Sequence, residues 1–147
     1  GGNKKELDEL GFEIKNGISL LGKLSPAEMA IQLAESKITV IPSIIEPYGI
    51  IVAEAICCGS PVVATGVGGI PEVISVAKEK LNTIEKEVFD RWVILVEPNV
   101  ESISNGINVV LNNNSSIKDY ISLVPKFRGQ FFWENRLEKY LSVLNLN

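Results

Sequence analysis

Three features of the sequence predict an α/β fold, a parallel sheet with helices on both faces. Short apolar runs rich in β-branched residues recur at 18–22, 38–42, 61–65 and 92–98, and segments with helical caps and helical spacing alternate with them. The runs are continuous rather than alternating, as in strands covered on both sides. At 147 residues, with 46% hydrophobic and 22% charged residues, the chain can bury one core and reads as one domain, 1–147.

Taken in order, "ELDELG" (6–11) reads as the end of a helix, with Gly11 past its last turn. "ISLLG" (18–22) is a short apolar strand. "SPAEMAIQLAES" (25–36) opens with a capping box, Ser25 at the cap, Pro26 at the first helical position and Glu28 three residues on. "ITVIP" (38–42) suits a strand buried on both faces. The next helix starts near Gly49 and ends at Cys58, with Gly59 as a left-handed stop. "PVVAT" (61–65) is a third strand, and "PEVISVAK" (71–78) a helix with Pro71 and Glu72 in its first turn. "WVILVEP" (92–98) is a fourth strand. Asn99 caps a helix running to about Asn112, and "NNNSS" (112–116) is a loop. Near the end, Trp133, Leu137, Tyr140, Leu141 and Leu144 lie on one face of a helix that packs on the core.

Composition removes several classes of function. Net charge is −4 and the basic residues are scattered, which argues against a nucleic-acid partner. Glu, Pro or Gly interrupts every apolar stretch well before the length needed to cross a bilayer. The opening residues do not read as a signal peptide, and the expected location is cytoplasmic. Cys57 and Cys58 are adjacent, lack metal-ligand spacing, and read as small core residues in a reducing compartment. There is no histidine, so Ser-His-Asp and Cys-His catalysis and histidine-ligated zinc are excluded, and no metal site is expected.

In parallel sheets of this kind ligands bind beyond the carboxyl ends of the strands, which directs attention to 22–25, 43–49 and 65–71. The segment between the second and third runs carries Glu46 and Glu54 on either side of Pro47-Tyr48-Gly49. A helix starting at Gly49 leaves its first N–H groups, from Gly49 to Val52, without intrahelical partners and open to an anion. A phosphate on those amides, flanked by two carboxylates that accept from hydroxyls, fits a sugar joined to a nucleotide through a diphosphate. Glu54 is surrounded by Ile50, Ile51, Val52, Ala53, Ala55 and Ile56, so burial with a polar partner is expected for it. A solvated role for both glutamates is the plain alternative. A hydrolase pairing them as acid and nucleophile needs carboxyls about 5–9.5 Å apart. The helix rise already puts Glu54 about 7 Å beyond Gly49, with Glu46 on the far side of that start.

The block "PSIIEPYGIIVAEAICCGSPVVATGVGGIPEVI" (42–74) resembles the donor-binding half of retaining glycosyltransferases with two Rossmann-like domains, in particular the sucrose-synthase and mannosyltransferase-like family. The shared elements are Pro-Ser, then Glu-Pro-aromatic-Gly, a second Glu completing E-x7-E, Ala-x-x-x-Gly-x-Pro-Val-Val-Ala, and Gly-Gly-x-x-Glu. Weaker similarity extends in order over most of the chain. The resemblance implies a Rossmann-like sheet and transfer of a hexose from a UDP-, GDP- or ADP-linked sugar to a sugar or lipid-linked acceptor. It implies Glu46 at the reacting centre of the donor sugar, and the amides of Tyr48, Gly49, Ile50 and Ile51 on sugar and diphosphate. Glu54 would then hold the ribose, and Gly22, Lys23 and Leu24 would lie near the base. No cofactor beyond the donor substrate and no obligatory metal is implied. "GVGGIP" (66–71) lacks the third glycine of a dinucleotide fingerprint, because Pro71 stands there, and reads as the family's Gly-Gly loop.

The chain departs from that family at its front. The resemblance implies six strands in the order 3-2-1-4-5-6, of which only the last four are visible, and an N-terminal acceptor domain that this chain lacks. We therefore expect the chain alone to be inactive and the full-length protein to be a glycosyltransferase that associates peripherally with a membrane. A non-catalytic sugar-nucleotide-binding or interaction module of the same fold is the alternative.

Overall fold

A computed structural model describes residues 17–131 of the chain. The expected helix end at 6–11 and the apolar stripe at 133–144 lie outside the described residues. The elements are α1 (Pro26–Glu35), β1 (Thr39–Ile41), α2 (Ile50–Cys57), β2 (Val62–Thr65), α3 (Ile70–Lys78), α4 (Thr83–Asp90), β3 (Val93–Val96), α5 (Val100–Leu111), α6 (Ile117–Ile121) and α7 (Val124–Phe131). The strands form a parallel sheet in the order β1-β2-β3, with Val40 opposite Val63 and Val63 opposite Ile94. The fold is thus the α/β parallel sheet that the alternation predicts, of the Rossmann-like kind that the resemblance implies.

The central strand β2 is buried along its whole length. On one face α5 comes in at Gly106, where a Cβ would stand 2.9 Å from Val96 and 3.0 Å from Val63, so only glycine admits the helix that close. Against β1 and β2 lies α2, which buries Val52, Ala55 and Ile56. That i, i+3, i+4 set is one helical face, and burying each branched side chain is worth about 1.5–3 kcal/mol. Beyond it an aromatic cluster closes the core. Phe89, Tyr120 and Phe127 are each fully buried, and Phe127 meets Phe89 edge-on at 5.3 Å between ring centres. The Tyr120 hydroxyl donates to the Ser60 carbonyl at 3.1 Å, which satisfies both buried groups.

Polar pairs fix the helices. Glu28 accepts from the Ser25 hydroxyl and N–H at 2.7 and 2.8 Å, and these two bonds, the hydroxyl first, hold its carboxyl below the usual range. Asn82 and Glu85 repeat the same box at the start of α4. Arg128 on α7 donates from Nε to the Cys57 carbonyl at 2.9 Å, placing a cation at the negative end of α2.

Two expectations are corrected. Residues 18–22 form no strand, and Ile18, Leu20 and Leu21 are exposed. A strand is a paired state, and in the implied order this run does not neighbour 38–42, so among the described residues it has no ladder to join. Among the described residues β1 is also an edge strand, and Thr39 and Val40 are only partly buried rather than covered on both faces.

Candidate functional site at the carboxyl ends of the strands

The turn that carries Glu46 leaves β1 at Ile41 and enters α2 at Gly49. Gly49 is the helix cap and sits at φ +69°, a left-handed conformation that L side chains resist. A Cβ there would also press within 3.3 Å of Ile70 and Val73 on α3. Both constraints require glycine at this position. Without a capping side chain of its own, the helix borrows one: the Gly49 N–H donates to Glu46 Oε1 at 3.1 Å. The second carboxylate oxygen, Oε2, accepts from the Ser43 hydroxyl at 3.4 Å. Glu46 therefore occupies one of the positive groups at its own helix start, as an anion should.

Other amides of that first turn remain open. Val52 and Ala53 donate back to the Gly49 carbonyl at 3.0 and 3.3 Å, while Ile50 and Ile51 offer their N–H groups to no acceptor among the described residues. Those two donors, beside the Glu46 carboxylate, are what a bound anion can use. The sequence predicts a free amide at Gly49 as well, and Glu46 engages it instead.

Residues 66–69, after β2, clasp the Glu46 turn from the other side. The Gly69 N–H donates to the Glu46 carbonyl at 2.9 Å. Gly68, at φ +54°, lies so close that a Cβ would come 1.9 Å from that same oxygen, and a Cβ on Gly69 would come 2.7 Å from the Pro47 carbonyl. The two glycines are thus explained by backbone packing on backbone. Below them, the buried Thr65 hydroxyl at the end of β2 donates to the Ser43 carbonyl at 2.6 Å.

Glu54 differs from its expectation. It is exposed, on the same stripe as Ile50 and roughly opposite the buried Val52, Ala55 and Ile56. Position on the wheel, rather than the apolar company of its neighbours, decides burial here, so Glu54 stays in water and needs no internal partner. Tyr48 is 75% exposed and Ile50 63% exposed, and together with Pro47, Ala53, Gly69, Glu72, Val73, Val76 and Phe131 they line a cavity of about 390 Å³ between α2 and α3. Gly22, Lys23 and Leu24 lie in the irregular segment before α1, with Gly22 at φ +65°. Helix α1 packs on α2, and among the described residues no hydrogen bond joins residues 22–24 to the Glu46 turn.

Burial raises the Cys57 thiol to about 11, with Cys58 beside it adding to the rise, so it stays protonated and inert at neutral pH. Among the described residues no three His, Cys, Asp or Glu side chains converge as metal ligands, and no helix is long and apolar enough to cross a membrane. Sequence reading did not reach the roles of Ser43, Thr65, Gly68 and Gly69 as supports of Glu46. The glycine pair was visible, but its contact is made across more than twenty residues of chain.

Comparison with known proteins bears on this arrangement. Residues 1–125 match the family described as glycosyl transferases group 1. An uncharacterized glycosyltransferase of Methanocaldococcus jannaschii is 27% identical over 150 residues, which cover 99% of this chain and 35% of that protein. One subunit of the human phosphatidylinositol N-acetylglucosaminyltransferase is 30% identical over 96 residues, 65% of this chain and 17% of its own length. The D-inositol 3-phosphate glycosyltransferase of Mycobacterium bovis is 34% identical over 67 residues, 46% of this chain and 14% of its own. The chain thus spans about a third or less of the relatives it matches. With more than four-fifths of its length inside the family match, this chain belongs to the glycosyl transferases group 1.

Proposed function

We propose that this chain is the donor-binding part of a retaining glycosyltransferase that moves a hexose from a nucleotide-diphosphate sugar to a sugar or lipid-linked acceptor. The observation that carries the reading is the pair of open amides at Ile50 and Ile51 beside the Glu46 carboxylate, at the carboxyl ends of β1 and β2. A diphosphate accepts from both amides and gains from the positive end of α2. Glu46 then faces the donor sugar next to the phosphate and accepts from its hydroxyls, and Glu54, one turn along the same open face, accepts from the ribose. Tyr48 covers the sugar side of the turn. Gly22, Lys23 and Leu24 border the base.

With retention of configuration, the acceptor oxygen attacks from the face that the leaving phosphate vacates, and the phosphate takes the acceptor's proton. Protein carboxylates in that scheme stabilise charge and orient hydroxyls instead of forming a covalent intermediate, which suits a chain without histidine. The acceptor side is supplied by a separate N-terminal part of the protein, and no metal or further cofactor enters the scheme.

The test is a thermal-shift screen of the intact protein with UDP-, GDP- and ADP-linked hexoses. One nucleotide series is expected to raise Tm, because a ligand at roughly 100 times its Kd stabilises by about 2.7 kcal/mol. Failure of all three to move Tm at millimolar concentration contradicts the donor reading.

A further inference from the structure

On the donor-site reading above, we propose that Thr65 and Ser43 are positioning residues that fix the orientation of the Glu46 carboxylate. The turn they support is clasped on one side by Gly68 and Gly69 and has few other ties. After Ile41 it runs through Ile44 and Ile45, which are 80% and 84% exposed and give it no apolar anchor. Its polar ties among the described residues are few. Thr65 Oγ1 donates chiefly to the Ser43 carbonyl at 2.6 Å, with the Ile41 carbonyl a second acceptor at 3.5 Å. Ser43 Oγ donates to Glu46 Oε2 at 3.4 Å, and the Glu46 carbonyl and Oε1 accept from the amides of Gly69 and Gly49 at 2.9 and 3.1 Å.

Thr65 ends a strand of sequence Val-Val-Ala-Thr and is fully buried, where valine would pack with the same shape and no polar atom. A buried hydroxyl costs stability unless it is bonded, so its presence marks the bond it makes. That bond joins β2 to the residue whose own side chain touches the carboxylate. Ser43 thus carries two constraints at once, its carbonyl pinned to the sheet and its hydroxyl on Oε2. With Gly49 on Oε1, each oxygen of Glu46 has one donor, and the side chain is held in a single orientation beside the open amides of Ile50 and Ile51.

The experiment compares Thr65→Val, Thr65→Ser and Ser43→Ala in the intact protein. Thr65→Val is expected to lower kcat about tenfold or more, because small misplacements of a reacting group are costly, while the donor KM stays within about threefold. Thr65→Ser keeps the hydroxyl and restores most of kcat. The Gly49 amide resonance, read in glycine-labelled protein without donor, moves in Thr65→Val and returns in Thr65→Ser. Ser43→Ala removes the Oε2 donor without opening the core, so it moves the same resonance and lowers kcat even if Thr65→Val does not fold.

A native Gly49 resonance with unchanged kcat in Thr65→Val or in Ser43→Ala overturns the proposal. So does a Thr65→Ser variant as impaired as Thr65→Val, since the γ-methyl packing would then be what matters. If wild-type protein binds no nucleoside diphosphate sugar, the donor reading fails by itself, and the Gly49 resonance in donor-free protein still decides the positioning role.

Discussion

Glu46→Gln in the intact protein is expected to lower kcat for sugar transfer about 100-fold or more, with little change in folding stability. The glutamine carbonyl can still accept from the Gly49 N–H, which the carboxylate does at 3.1 Å, and its NH2 can donate to Ser43 Oγ in place of the bond that Oε2 accepts, so the turn keeps its geometry. On the proposed donor reading, what is lost is negative charge next to the sugar, where positive charge develops as the bond to phosphate breaks. Removing one preorganised electrostatic group from such a site typically costs about 100- to 1000-fold. Glu46→Ala goes further, because the helix also loses its borrowed cap, a loss of about 1 kcal/mol. Initial rates with the donor found by thermal shift, set beside chemical denaturation, separate the two effects. Full transfer activity in Glu46→Gln contradicts the assignment. Biological function that survives Glu46→Ala favours a non-catalytic module of the same fold.

Gly68→Ala is expected to be the most damaging single methyl in the described part of the chain. The added carbon lands 1.9 Å from the Glu46 carbonyl oxygen and 2.8 Å from its carbon, both backbone atoms, and the residue stands at φ +54°. The left-handed conformation alone costs a non-glycine residue about 1–2 kcal/mol. Displacing a packed backbone adds about 1–3 kcal/mol, so a loss of roughly 2–5 kcal/mol follows. The strain falls on the turn that holds Glu46, so activity drops with stability. Gly66→Ala is the control: its nearest neighbour would be the Val96 carbonyl at 3.9 Å, and the change should stay within about 0.5 kcal/mol. Urea midpoints at constant m measure both variants. Equal stability of Gly66→Ala and Gly68→Ala contradicts the clasp between the two loops.

Sequence signals suffice wherever the structure is locally determined. The Ser25–Glu28 box, the Asn99 cap and the left-handed Gly59 all stand where the sequence places them. Helix α4 carries the same signals, an Asn82–Glu85 capping box and one apolar face, although the sequence reading does not include it. The short helices α6 and α7 owe their form to packing of Tyr120 and Phe127 on the core, which no local period announces. Residues 18–22 fail as a strand because β structure depends on a partner distant in the chain. At the site, the two glutamates of E-x7-E are visible in the sequence while their geometry is not. Glu54 is exposed by its place on an eight-residue helix. The support of Glu46 by Ser43, Thr65, Gly68 and Gly69 joins loops that only the sheet brings together.

If the open end of α2 receives the donor's diphosphate, as proposed, the amide resonances of Ile50 and Ile51 report on it directly. Isoleucine-labelled intact protein titrated with UDP, GDP and ADP should show those two amides shifting saturably with one of the nucleotides, while Ile74 and Ile117 stay in place. Saturable binding that leaves Ile50 and Ile51 unmoved would contradict the account.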